Sequence, residues 1–214
     1  MAILTNGLLG KSSKTIGNIV TYTSGGQQIA RTKPSHYSDA NTDNQKLQRT
    51  AFSLILSMFR LISPAVKVAF PERQGKHSAY NVFMKENVPV AVSGSLGSQS
   101  VSFSDIIAGK GSLLKPRNVA LISDITDRID ISWDDNTNNT TGFGTDKAVI
   151  TVFNPAKDEA ETYIFSAQRQ SAGQNISTPA SWQGDTVHVY LSFVSGDNGK
   201  ASDSVYAGSV SVSA

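Results

Sequence analysis

Polar and apolar residues alternate in two short runs near the start of the chain, and a glycine-containing turn separates them. The runs are TIGNIVTYT and QQIARTK, with Ser24-Gly25-Gly26 between them. Alternation with a period of two is typical of a half-buried strand, and glycine readily adopts the positive φ that a tight turn requires. The pattern predicts a β-hairpin between Thr15 and Lys33, which must pack on another element because an isolated hairpin is barely stable in water.

The spacing changes after the hairpin to one that is typical of an α-helix. Thr42 can cap the start of this helix, with Gln45 returning a hydrogen bond to the cap, and apolar residues then recur at helical spacing up to Leu61. Pro64 is expected to end or kink the helix, since proline lacks the N–H that the helical ladder needs, and Ala65 to Phe70 can form a further helical turn before Pro71. A second, shorter helix is predicted from His77 to Glu86. Both helices are expected to serve the core.

From Val119 onward, short alternating runs follow one another with turn signals between them. These runs are VALIS, RIDISW, KAVITVF, ETYIFS, TVHVYLSFV and SVYAGSVSV. Six or seven strands in roughly 95 residues are typical of an immunoglobulin-like or fibronectin-like antiparallel β-sandwich, with Trp133 as the expected core aromatic. The predicted fold class is therefore α+β: an N-terminal β-hairpin-plus-helix domain at 1–117, followed by a β-sandwich domain at 118–214.

The formal net charge of +2 hides a strong asymmetry between these two parts. Residues 1–118 contain 14 Lys and Arg against 5 Asp and Glu, a net charge of +9, whereas residues 119–214 contain 5 against 12, a net charge of −7. A basic half can attract nucleic acid, and two opposite halves can bring copies of one protein together head to tail. A third interpretation is that the charge only keeps each half soluble.

The triplet Gly10-Lys11-Ser12 resembles the end of a phosphate-binding loop. Such a loop needs a first glycine five positions before the second, so that enough backbone N–H groups surround the phosphates. Thr5 occupies that position here, and the Thr15–Tyr22 stretch that follows alternates like a strand and not like a helix. We therefore expect a glycine-containing turn and no nucleotide site.

Other catalytic arrangements are equally hard to assemble from this sequence. His36, His77 and His188 lie in a loop, at a helix start and in a β-run, without a metal-ligand spacing. The chain contains no cysteine, and no serine stands in a Gly-x-Ser-x-Gly elbow. We expect a protein that is not an enzyme and that has no catalytic residues, no cofactor and no metal ligands.

The loop DDNTNNTTGFGTD, which runs from Asp134 to Asp146, could offer oxygen ligands to calcium. It lacks the alternating spacing and the terminal Glu of an EF-hand. A polar loop between strands is the simpler interpretation, and the sequence leaves cation binding by this loop open.

A series of segments carries a resemblance to a known family. In chain order they are NGLLGKSSKTIGNIVTY, IARTKP, Gln48-Arg49 with Phe52, the stretch from Tyr80 to Asn87, GKGSL, ISWDDN, TDKAV, VFNPAKDEA, PASWQGDTVHVYLSF and SDSVYAG. In these segments and in their order, the sequence resembles the Bacteroidota family catalogued as domain of unknown function 6266. The resemblance covers nearly the whole chain and implies a shared architecture with no established activity.

The preferred hypothesis is a non-enzymatic structural or interaction protein, for example a virion, tail-like or filament component, in which the basic part of one copy contacts the acidic sandwich of another. It predicts a homo-oligomer or a larger protein assembly. The alternative is a nucleic-acid-binding protein that uses the basic half, although no helix-turn-helix, zinc finger or aromatic RNA-binding signature accompanies it. The residues assigned to these contacts are Lys11, Lys14, Arg31, Lys33, Lys46 and Arg49 on the basic side and Asp158, Glu159 and Glu161 on the acidic side.

The start of the chain lacks a basic segment followed by an apolar core and a cleavage site, and no run of about 18 apolar residues occurs. We therefore expect a cytoplasmic or virion location, without a signal peptide and without insertion into a membrane.

Overall fold

The computed structural model describes residues 2–4, 14–36, 39–71 and 77–213 of the chain. The chain divides into two compact units, Met1–Thr42 and Asp43–Ala214. The domain boundary predicted between residues 117 and 118 stays a prediction. It does not coincide with this division, because the helices share a hydrophobic core with the β-sandwich and belong to the same unit.

The first unit is a four-stranded antiparallel sheet with the strand order β1-β4-β3-β2. Its strands are β1 (Ala2–Leu4), β2 (Lys14–Ile16), β3 (Ile19–Ser24) and β4 (Gln27–Thr32). The predicted hairpin is confirmed as β3 and β4, and the turn between them consists of Gly25 and Gly26, with φ of +60° and +83°. Glycine adopts positive φ at both positions of such a turn without strain.

Both predicted helices are confirmed: the further turn that the sequence allowed after Pro64 is part of the first helix, and the second continues beyond its predicted end at Glu86. Helix α1 (Asp43–Ala69) runs through Pro64, and helix α2 (Ala79–Ala91) runs through Pro89. A proline inside a helix removes one backbone hydrogen bond and crowds the preceding turn. Burial offsets this cost, since residues that follow each proline belong to the core: Ala65, Val66 and Ala69 in α1, and Ala91 in α2.

The remainder of the larger unit is an antiparallel sandwich of a four-stranded and a three-stranded sheet, with strand orders β10-β9-β12-β13 and β11-β8-β7. A short pair, β5 (Val92–Ser93) and β6 (Ser100–Val101), precedes it. The sandwich strands are β7 (Ala120–Ile122), β8 (Arg128–Ser132), β9 (Lys147–Asn154), β10 (Glu159–Gln168), β11 (Gly173–Ser177), β12 (Thr186–Val194) and β13 (Val205–Ser211). The predicted fold class is confirmed by these helices and sheets, and β11 is the sandwich strand that the sequence pattern did not predict.

The four-stranded sheet is covered on both faces. In its central strand β9, Ile150 and Val152 pack in the core between the two sheets, whereas Phe153 packs against the helices. In the neighbouring strand β12, Leu191 faces the sandwich core and Tyr190 faces the helices. Strands that are buried on both faces read as nearly continuous apolar runs, as KAVITVF and TVHVYLSFV do. The helices thus supply one side of the hydrophobic core.

Helix α1 has the length and apolar composition of a membrane span. One side of it packs on α2 and on the four-stranded sheet through Ala51, Ile55, Met58, Ile62, Ala65, Val66 and Ala69. The core helix of a folded domain has the same length and composition, so the absence of membrane insertion stays a prediction.

Candidate functional site

Two of the basic residues assigned to partner contacts lie on opposite faces of the N-terminal sheet. Lys14 is paired with Thr21 across β2 and β3, whereas Arg31 is paired with Val20 across β3 and β4. Thr21 and Val20 are neighbours along β3, and neighbouring positions of a strand point to opposite faces. The Arg31 guanidinium lies 5.9 Å from the centroid of the Tyr22 ring, on the face that Val20 marks.

The same sheet exposes two apolar side chains. Ile16 and Ile19 are paired across β2 and β3, and they are 45% and 47% exposed. Lys33 follows the end of β4 and is also exposed, while its N–H donates a hydrogen bond to Asn18 O at 2.6 Å. Lys11, with the rest of the Gly10-Lys11-Ser12 triplet, lies outside the described residues. The sheet therefore combines exposed isoleucines with positive charge.

The other two basic residues of the prediction, Lys46 and Arg49, lie on α1 in the larger unit. Lys46 Nζ is 3.1 Å from Asp43 Oδ1 one turn earlier, and an exposed pair of this kind contributes about 0.5 kcal/mol or less. Arg49 lines an apolar groove of about 480 Å³ together with Phe52 and Tyr80. The basic residues named from the sequence are thus distributed over both units.

The three acidic residues of the prediction lie at the turn between β9 and β10 and on the first positions of β10. Asp158 and Glu161 are exposed. Glu159 has a structural partner, because its Oε2 accepts a hydrogen bond from Trp182 Nε1 at 2.7 Å and the Trp182 side chain is 1% exposed. Asp158 and Glu161 can therefore contact a partner without loss to the fold, whereas Glu159 holds a core side chain.

Further carboxylates lie at the same end of the sandwich as Asp158, and the sequence analysis missed this grouping. The β7–β8, β9–β10 and β11–β12 loops meet at one end of the sandwich, where Thr178 N donates to Asp127 O at 2.8 Å and Asn154 Nδ2 donates to Asp185 Oδ2 at 2.9 Å. We call this surface the acidic end and define it by Asp124, Asp127, Asp158, Glu159 and Asp185. Loops that follow alternate strands of an antiparallel sandwich lie at the same end, so correct strand assignment would have brought these residues together.

The acidic end also exposes apolar side chains. Ile122 at the end of β7 is 54% exposed, and Ile125 in the following loop is 51% exposed. Lys157 is the basic residue of the β9–β10 turn. Exposed isoleucines next to negative charge are the counterpart of Ile16 and Ile19 next to positive charge on the N-terminal sheet.

A buried ion pair occupies the opposite end of the sandwich. Arg169 donates from Nε and Nη2 to Asp146 Oδ2 at 3.2 and 3.0 Å, and from Nη1 to Asn136 Oδ1 at 2.6 Å. Its guanidinium also lies 4.1 Å from the centroid of the Phe193 ring. Burial lowers the pKa of Arg169, and the hydrogen-bonded Asp146 carboxylate opposes that shift. This network ties the loop from Asp134 to Asp146 to the strands.

The carboxylates of that loop have separate partners. Asp134 Oδ2 accepts a hydrogen bond from Asn118 Nδ2 at 2.6 Å, and Asp135 Oδ1 accepts one from the N–H of Thr137 at 3.2 Å. The charge of Asp146 is balanced by Arg169. Within the described ranges, no three His, Asp or Glu side chains converge on a position that could hold a metal ion.

His188 lies on β12 among aromatic side chains. Its Nδ1 is 2.8 Å from the Tyr206 hydroxyl, and its ring centroid is 4.4 Å from that of Phe103. Burial lowers the pKa of His188. The Tyr206 hydrogen bond and the Phe103 ring contact are typical of a histidine that is packed in a protein interior. His36 and His77 are exposed.

A family model matches residues 10–208 of the chain, and its description is a family of unknown function, DUF6266. The chain belongs to this family. The resemblance stated from the sequence is therefore confirmed, while a Bacteroidota origin stays a prediction. Membership in the family fixes a shared architecture and leaves the activity open.

Solved structures similar to this chain include two human fibronectin type III domains. The domain of the collagen alpha-1(XX) chain is 16% identical, covers 49% of this chain and 90% of its own, and has a TM-score of 0.37. The domain of contactin 1 is 11% identical, covers 57% of this chain and 93% of its own, and has a TM-score of 0.31. A comparison with curated proteins finds no match.

Proposed function

We propose that this is a non-enzymatic structural or interaction protein that assembles head to tail, with the N-terminal sheet of one copy contacting the acidic end of the next. The observation that carries the proposal is the convergence of three loops into one surface that combines carboxylates with the exposed Ile122 and Ile125. Opposite charges steer such partners together, and apolar side chains removed from water stabilise the contact.

The N-terminal sheet has the complementary character. Among its described residues 14–36, only Thr21 is buried, and Lys14, Arg31 and Lys33 are exposed alongside Ile16 and Ile19. A sheet that buries so little of its surface gains stability from a partner that covers one face. Because the two surfaces differ, each copy can bind one neighbour on either side, which builds an open chain or a ring. Virion and filament components have this property.

Nucleic-acid binding by the basic residues is the weaker alternative. No helix-turn-helix, zinc finger or aromatic RNA-binding signature accompanies the basic residues in the sequence. Lys46 is already paired with Asp43.

Complementary charge reversal tests the proposal. One variant carries Lys14→Glu, Arg31→Glu and Lys33→Glu, which makes both faces of the sheet acidic. A second carries Asp124→Lys, Asp158→Lys and Glu161→Lys, three exposed positions, which changes the summed charge of the acidic end together with Lys157 and Glu161 from −5 to +1. Glu159 is left unchanged because it holds Trp182. Each variant alone should lose the association that wild type shows by light scattering at low salt, whereas an equimolar mixture of the two should recover it, since each sheet then meets an end of opposite charge.

The matched control is Asp105→Lys with Asp203→Lys, which reverses two exposed carboxylates outside the acidic end and should leave association unchanged. A mixture that stays as dissociated as its components would contradict the proposal. A wild type that is monomeric at low salt yet retards DNA in a gel would favour the nucleic-acid alternative.

A further inference from the structure

The end of the sandwich opposite the acidic end contains a cleft of about 460 Å³. Three segments form it: the strand-connecting loops at 140–146 and 195–200, and residues Ser112 and Leu113. The side chains that matter for its chemistry are Ser112, Thr141, Phe143, Thr145, Asp197 and Lys200. The cleft does not overlap the surfaces assigned to head-to-tail assembly.

Phe143 stands at this cleft with 42% of its surface exposed, on a loop that is fixed from below. Its N–H donates to Asp146 Oδ2 at 2.9 Å, and its carbonyl accepts from the N–H of Asp146 at 2.9 Å. Asp146 is in turn held by Arg169. A Cβ at Gly142 would lie 3.3 Å from Arg169 Cζ, which is a tight contact, so this loop runs close to the ion pair. The ring is therefore presented on a rigid support.

The other walls of the cleft carry hydrogen-bonding groups. The Thr145 hydroxyl can both donate and accept, and the Thr141 hydroxyl, which accepts a hydrogen bond from Asn138 Nδ2 at 3.1 Å, can still donate one. Asp197 Oδ1 accepts hydrogen bonds from Ser195 Oγ and from the N–H of Gly199, which fixes the orientation of the carboxylate. These bonds, that from Ser195 above all, lower the pKa of Asp197 and keep it ionised.

The balance of charge in the cleft selects among ligand classes. Lys200 and Asp197 carry opposite single charges, and the charge of Asp146 is balanced by Arg169. A phosphate or another anion would need an excess of cations, and a purely apolar ligand would cover the charges of Asp197 and Lys200 without hydrogen-bonding to them. A sugar ring matches both properties, because one face presents C–H groups to an aromatic ring and its rim presents hydroxyls.

We propose that this cleft binds a neutral saccharide unit, with a C–H face of the sugar on Phe143 and sugar hydroxyls on Asp197, Lys200 and the threonines. The proposal does not depend on self-assembly, since it rests on a different end of the sandwich.

The test starts with an array of neutral and acidic oligosaccharides, followed by calorimetry and saturation-transfer NMR on the neutral glycan that wild type binds best. Phe143→Ala should weaken that binding by about 10-fold, and Phe143→Leu should do the same because it keeps the apolar volume but loses the flat ring. Phe143→Tyr should retain the binding. All three substitutions replace a side chain that is 42% exposed, so thermal melting should show little change.

Phe52→Ala is the matched control, because Phe52 is 41% exposed on α1, away from this cleft. It should leave glycan binding unchanged. The inference is overturned if wild type binds no neutral glycan at millimolar concentration, if it binds only acidic glycans, or if Phe143→Ala and Phe52→Ala bind alike.

Discussion

Arg169 and Asp146 form an ion pair from which solvent is excluded, with Nη2 and Oδ2 3.0 Å apart and side-chain exposures of 0% and 1%. Four of the five N–H groups of the guanidinium reach acceptors on Asp146, Asn136 and Leu114. Two buried charges are tolerated only when such partners replace their hydration. The pair therefore holds loop and strand together without a disulfide, in a chain that has no cysteine.

Removing one partner of this pair should be severely destabilising. Asp146→Ala leaves the Arg169 charge buried without its counter-ion, and we expect a loss of about 3–5 kcal/mol in the free energy of unfolding, measured by urea denaturation. Asp130→Ala is the control, because Asp130 pairs with Arg128 at 38% and 34% exposure and should cost about 1 kcal/mol or less. Equal losses in the two variants would contradict a structural role for the buried pair.

Glu159 should behave differently from its neighbours when its charge is changed. Glu159→Lys removes the acceptor of Trp182 Nε1 in the core, and an unsatisfied buried donor costs about 1–3 kcal/mol. Glu159→Gln keeps an acceptor oxygen and should cost much less. Denaturation followed by tryptophan fluorescence measures both, and Glu161→Lys, at an exposed position, should remain close to wild type. A stable Glu159→Lys variant would show that the hydrogen bond contributes little.

The sandwich should not fold without its helices. A fragment from Lys115 to Ala214 exposes Phe153, Tyr190 and the rest of the sheet face that α1 and α2 cover. We expect this fragment to aggregate or to melt without cooperativity, whereas a fragment from Asp43 to Ala214 should melt cooperatively, as monitored by circular dichroism. A cooperative transition in the shorter fragment would contradict this expectation and support the domain boundary that the sequence predicted between residues 117 and 118.

Acidification should destabilise the protein through His188. Its pKa in the folded chain is lowered by burial from the ordinary value of 6.5, so the unfolded chain takes up a proton at a higher pH than the folded chain does. The stability is full above pH 6.5 and decreases as the pH falls from there through the folded pKa. His188→Gln, which can still bond the Tyr206 hydroxyl, should flatten this part of the pH profile of thermal melting.

The control for that profile is the double variant His36→Gln and His77→Gln, which removes two exposed histidines. Its pH dependence should match that of wild type. If it flattens the profile as much as His188→Gln does, the buried histidine is not the source.

Periodicity predicted the hairpin, both helices and most sandwich strands, because each is encoded in local spacing. It left open whether α1 ends at Pro64 or continues past it, since the burial of Ala65 and Val66 in the core outweighs a local penalty and is invisible in the spacing. Strand β11, with the sequence GQNIS, carries a single fully buried apolar residue, Ile176, and so lacks a pattern that could be recognised.

The sequence likewise predicted one part of the candidate site and missed another. Charge counting found an acidic half but not the acidic end, because Asp124, Asp127 and Asp185 are separated along the chain and meet only through loop topology. Counting also treated Glu159 as equivalent to Asp158, although the Trp182 hydrogen bond distinguishes them. The Phe143 cleft forms only where three segments distant in the sequence come together in the fold, so no short sequence motif could predict it.

A β-sandwich whose two outer faces are exposed to solvent can occur in tandem arrays, because each sandwich domain keeps its own core whatever its neighbouring domains are. The sandwich described here cannot be transferred alone to a tandem array, since Phe153 and Tyr190 on one outer face are buried against the helices. A recombination event that copied only the strands would deliver an exposed hydrophobic patch instead of a domain. We therefore expect the helices and the sandwich to be inherited together as one domain. Insertions should be tolerated in the loops and not where α1 and α2 pack on the four-stranded sheet.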